Sequence, residues 1–177
     1  MKLFKGFVYL SFLFLSFYSQ SDMLNFLKPH SYKICPDING VVHKVGEAYP
    51  NLKITLDVAY EGSHFTYDAI TDKNGHFHFK EVTLHRWTRP SVLNNNLMGI
   101  WLHTKINGVD KNLWVSYSET LVPDKYIVDN LSGLECDIDG NEYLYHFENE
   151  QEGAIPYSVM GICNLKGHIE KFDGEEN

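Results

Sequence analysis

The side chains most able to do chemistry cluster in Thr71 to Phe79, TDKNGHFHF, where His76 and His78 alternate with Phe77 and Phe79. On an extended strand, residues two apart share one face at about 7 Å, so both imidazoles are placed to share a metal ion. A zinc site needs three or four ligands, and His64 and His85 are the candidates for a third. The competing expectation is a half-buried strand with both phenylalanines inward and both histidines outward. The residue types favour that expectation, with no cofactor. A second series, Asp137, Asp139, Asn141 and Glu148, matches positions 1, 3, 5 and 12 of a calcium loop. Position 6 demands glycine for its sharp turn and holds Glu142, so Asp139-Gly140 is expected to be a hairpin turn instead.

For nucleophilic catalysis, the Gly-x-Ser-x-Gly, His-Glu-x-x-His and Ser-x-x-Lys patterns are all absent. Cys35 precedes Pro36 with no histidine beside it, and no catalytic residue is expected. The remaining candidate is a binding patch of Trp101, His103 and Trp114, whose aromatic rings would make strong contacts if exposed. The alternative is that the aromatic-rich segment after Asp139 covers the tryptophans, and this is preferred.

The elements that carry these residues read as strands of period two. Leu52, Ile54, Leu56 and Val58 alternate with polar residues, and Phe65, Tyr67 and Ala69 share one face. Asn107-Gly108 is the preferred dipeptide of a type I′ turn and predicts a hairpin over 99–117. Its expected register opposes Ile106 to Val109, Lys105 to Asp110, Leu102 to Leu113, Trp101 to Trp114 and Ile100 to Val115. The core side would then carry Ile100, Leu102, Ile106, Leu113 and Val115. TRPSVLNNNL is a loop, residues 122–130 hold one helical turn behind Pro123, and 131–138 and 159–165 are late strands. The last residues, 171–177, are expected to be an acidic tail. Many short strands with little helix predict an all-β, antiparallel Greek-key sandwich.

The chain has 177 residues and a net charge of −8. Lys2 and Lys5 precede an uncharged apolar run to Ser21, followed by Asp22, which is the layout of an export signal cleaved after Ser21. The expected organisation is a signal peptide over 1–21, a short segment over 22–31, one sandwich domain over 32–170, and the tail. The run is short for a bilayer span, so no stable membrane insertion follows cleavage. Losing two lysines takes the charge from 15 − 23 to 13 − 23, or −10. Such a chain lacks the basic footprint that phosphate backbones require, which excludes nucleic acid as a partner and favours a basic one. Export permits a disulfide. Of Cys35, Cys136 and Cys163, the expected pair is Cys136–Cys163 with Cys35 a buried thiol; the alternative is three core thiols.

Gly40, Val42, Pro50, the alternating strand 52–58 and TDKNGHFHFKEV together resemble the carboxypeptidase-regulatory-like, transthyretin-like modules of exported proteins, over residues 38–82. Their closing pattern, Thr-Asp-x-x-Gly-x-Phe-x-Phe, is carried by Thr71, Asp72, Gly75, Phe77 and Phe79. Asp72 and Gly75 are expected to turn the chain between two antiparallel strands. The resemblance implies a scaffold or adhesive sandwich. A hydrolase of purine breakdown shares that fold, but its terminal Tyr-Arg-Gly-Ser is missing here. The Trp-bearing hairpin, LECDI and the closing GIC also resemble an exported bacterial family of unknown function, which implies a bacterial envelope. The expected role is therefore non-catalytic: binding a protein or small ligand in the periplasm or at the surface. The alternatives are a periplasmic immunity or inhibitor protein and, more weakly, a metal-binding protein or hydrolase.

Overall fold

A computed structural model describes residues 29–89, 97–149 and 153–173. The export signal expected over 1–21 and most of the loop TRPSVLNNNL lie outside them. In chain order the strands are β1 His30–Cys35, β2 Ile38–Lys44, β3 Glu47–Ala48, β4 Lys53–Tyr60, β5 Ser63–Ile70, β6 His76–Phe79, β7 Val82–Arg86, β8 Met98–Ile106 and β9 Val109–Ser118. The helix α1, Lys125–Leu131, follows, and then β10 Leu134–Asp137, β11 Tyr143–Phe147, β12 Tyr157–Gly161, β13 Cys163–Asn164 and β14 Glu170–Asp173. The protein is mostly β with one short helix among the described residues.

The described residues fall into two compact units, residues 29–31 with 85–89, and residues 32–84 with 97–149 and 153–173. In the smaller unit Ser31 Oγ and His85 Nδ1 are hydrogen-bonded at 2.9 Å, and Trp87 is exposed. In the larger unit a seven-stranded sheet runs β14-β11-β12-β9-β8-β4-β5. A second sheet runs β13-β10-β2-β3, with β6 also pairing β2. All pairings in both sheets are antiparallel except β2 with β10. The inner residues of both, Ile54, Leu56, Val58, Ile100, Leu102 and Trp114 from one and Ile38, Val42, Phe77, Phe79, Leu134 and Cys136 from the other, belong to a single buried cluster. The period-two expectations for β4 and β6 thus hold residue by residue.

Several expectations change where the chain switches sheets. The turn at Asp72–Gly75 does not join hydrogen-bonded neighbours, because β5 lies in the seven-stranded sheet and β6 in the other. Asp139-Gly140 is likewise no hairpin turn; it carries the chain from β10 to β11, again across sheets. The late strand expected over 159–165 breaks at Ile162 into β12 and β13, one in each sheet. Leu131 ends the helix rather than opening a strand. The expected tail begins too early, since Lys171–Asp173 pair with β11 as part of β14. Period two reports which residues are half-buried and carries no record of which sheet a strand joins.

The hairpin turns at Asn107 and Gly108, both at positive φ. Its register is as expected from Ile106↔Val109 to His103↔Asn112 and then shifts, so that Leu102 faces Trp114 and Trp101 faces Val115. The extra residue is Leu113, a β-bulge that turns the following side chains over. Gly161 sits against this bulge: a Cβ there would lie 2.3 Å from the Leu113 carbonyl oxygen. Ile162 N–H donates to the Asn112 carbonyl at 3.0 Å.

Candidate functional site

The TDKNG segment is built as a brace. Thr71 is buried; its Oγ1 donates to the Tyr49 carbonyl at 2.7 Å and accepts from Leu52 N–H at 2.8 Å. Asp72 Oδ1 accepts from the N–H groups of Asn74 and His76 at 2.8 and 2.9 Å. Those two bonds, His76 first, hold its carboxyl below the ordinary carboxylate value. Gly75 has φ +78, and a Cβ on it would lie 2.4 Å from the Val42 carbonyl oxygen. Gly75 O in turn accepts from Val42 N–H at 2.9 Å. Phe77 and Phe79 enter the core in edge-to-face contact at 6.2 Å.

His76 and His78 face outward on β6, opposite Val41 and Asn39. With Asp72 and Glu135 they line an open cleft of about 480 Å³. Among the described residues no three His, Cys, Asp or Glu side chains come together to hold a metal ion. His78 approaches Asp37 at 4.0 Å, while His85 bonds Ser31 in the smaller unit. In the calcium-like series, Asp137 Oδ1 accepts from Asp139 N–H at 3.1 Å and Gly140 N–H donates to the Asp137 carbonyl at 3.0 Å. These are the bonds of a turn.

Cys136 and Cys163 form the disulfide, as directly opposed partners on β10 and β13. Cys35 is the free thiol and is buried, and burial, with help from Asp37, pushes its pKa up to about 12. A thiol so held is a core residue rather than a nucleophile.

The candidate patch of Trp101, His103 and Trp114 is divided by the bulge, and the preferred burial holds for Trp114 alone. Trp114 is fully buried, its Nε1 donating to Ser116 Oγ at 2.8 Å. Trp101 and His103 stay on the outer face of the seven-stranded sheet, where Trp101 meets Tyr117 edge-on at 5.4 Å. The registers place one residue of every strand in a single outer row: Thr66, Asp57, Trp101, Val115, Met160, Leu144 and Phe172. Its last five members are apolar and span about 19 Å at the usual strand spacing. Met160 and Phe172 are 36% and 48% exposed, and Tyr117 beside the row is 50% exposed. Polar groups border it: His103 Nε2 lies 3.0 Å from Asp57 Oδ2, and His146 Nδ1 lies 3.4 Å from Glu170 Oε2. Asp57 also accepts from the Thr66 hydroxyl. The Thr66–Asp57 and His103–Asp57 contacts thus tie β5, β4 and β8 together across the outer face.

Met160, Leu144, Phe172 and Tyr117 were not legible as a group. They lie up to 55 residues apart in sequence, from Tyr117 to Phe172, and only the cross-strand register aligns them.

These features define a mostly β chain with a braced inter-sheet turn and an apolar stripe on one outer face. The chain belongs to a family described as a domain of unknown function (DUF6795), which matches residues 38–141, from the start of β2 to just past β10. No curated protein and no solved structure matches it.

Proposed function

We propose that this protein is exported, has no catalytic activity, and acts by binding a partner protein in the bacterial envelope through the outer face of its seven-stranded sheet. The observation that carries this reading is the apolar row from Trp101 to Phe172, in which Val115 is covered while Met160 and Phe172, with Tyr117 beside them, are exposed. Large apolar groups aligned on an outer sheet face mark contact surfaces. Carboxylates at the row's borders, Asp57 and Glu170, and the net charge of −8 favour a partner whose contact residues are apolar and basic. The same charge suits a second version, in which the partner is a toxin or enzyme that this chain masks. The apolar run ahead of Asp22 supports export to the periplasm or surface. The shared core of the two sheets and the Thr71–Gly75 crossing support a transthyretin-like Greek-key sandwich.

Capture from envelope extract by the exported chain tests the proposal. A retained protein, identified by mass spectrometry and released by high salt, is the expected result. Failure to retain any protein across low-salt conditions contradicts it.

A further inference from the structure

We infer that β5 is an edge through which two copies of this chain pair, antiparallel and related by a two-fold axis at Thr66. The seven-stranded sheet has two edges, β14 and β5. Natural sheets defend their edges with short strands, proline and charge. The β14 edge is defended: it has four residues, EKFD, of which Glu170, Lys171 and Asp173 are charged. The β5 edge is not. It has eight residues, SHFTYDAI, without proline, lysine or arginine. Its one carboxylate, Asp68, is already held by Lys53 at 3.0 Å and by the Thr55 hydroxyl at 2.8 Å. Tyr67 and Ile70 are 45% and 68% exposed.

Hydrogen-bond parity shows which backbone groups face outward. Thr71 N–H donates to the Leu52 carbonyl at 3.0 Å, so Leu52↔Thr71 is a bonded pair. Counting by two along the register, Ile54↔Ala69, Leu56↔Tyr67, Val58↔Phe65 and Tyr60↔Ser63 are bonded pairs as well. His64, Thr66 and Asp68 therefore turn both N–H and C=O to the open edge.

With the axis at Thr66, the two Thr66 residues exchange both backbone bonds. His64 then stands opposite Asp68 of the second copy, twice over by symmetry. Phe65 meets Tyr67 of the second copy on the other face, an aromatic cross-strand pair. Moving the axis to Asp68 sets two carboxylates opposite each other, and moving it to His64 leaves a much shorter overlap. With the axis at Thr66 the strand is self-complementary, as a two-fold interface requires. Because the contact is a single strand, the dimer belongs to the small, reversible class.

The test is sedimentation of the full-length chain, produced with its own leader, over a wide concentration range. The mass is expected to rise toward twice that of the monomer. His64→Asp sets carboxylates opposite Asp68 at both pairs and should weaken the dimer about tenfold. The double variant H64D/D68H again sets each histidine opposite an aspartate and should restore pairing. Thr66→Pro removes an outward N–H, which an edge strand tolerates, and should leave a monomer with unchanged near-UV circular dichroism. A monomer at every concentration, or a dimer that none of these variants weakens, overturns the inference.

Discussion

At the residue scale, the residues around the two histidines of TDKNGHFHF hold the structure. Thr71 satisfies a half-buried carbonyl and a buried N–H at once. Thr71→Val should cost about 2–3 kcal/mol, because both partners lose their hydrogen bond, whereas Thr71→Ser should keep most of it; urea denaturation measures both. Gly75→Ala combines positive φ with a carbonyl oxygen in the way, and should lower the melting temperature by about 6–12 °C. Gly46 shares the positive φ, at +80, but meets nothing within 4 Å, so Gly46→Ala should cost only about 1 kcal/mol. Asp72 has a pKa lowered from 3.8 in the folded state. Its contribution is present above pH 3.8 and lost as pH falls through the folded value. Asp72→Asn should therefore lower the neutral plateau toward the acid value and flatten the acid limb of a stability–pH curve, and an acid limb as steep as wild type would contradict this.

At the element scale, much of the fold could be read from the chain. The alternation in β4 and β6, the Asn107-Gly108 hairpin, the helix behind Pro123 and the Cys136–Cys163 pair follow from local chemistry. What could not be read is assignment to sheets. Asp139-Gly140 has the composition of a hairpin turn, yet the strands it joins belong to different sheets. The Leu113 bulge was hidden for a similar reason, since its room depends on Gly161, 48 residues on, presenting no side chain. The disulfide closes a separation of 27 residues between β10 and β13. Replacing both cysteines by alanine should lower stability by about 3 kcal/mol, read from denaturant midpoints. Thiol titration should find no reactive group in the native protein and one, Cys35, after unfolding, as its burial requires.

At the scale of the whole molecule, the candidate site is legible only in fragments. Trp101 and His103 announced themselves by type; Met160, Leu144 and Phe172 did not, because each is one apolar residue in an unremarkable strand. Trp114 looked like their neighbour until the bulge turned it inward, to 0% exposure. The net charge of −8 predicts that partner capture weakens as ionic strength rises, chiefly through slower association. The most direct test compares two double variants, H76A/H78A and M160D/F172D, in the same capture from envelope extract. Both pairs are exposed on strands, so both variants should melt within a few degrees of wild type. The account predicts that H76A/H78A retains the wild-type partner and M160D/F172D loses it. Capture that survives M160D/F172D but fails in H76A/H78A would contradict it and return the functional weight to the histidines.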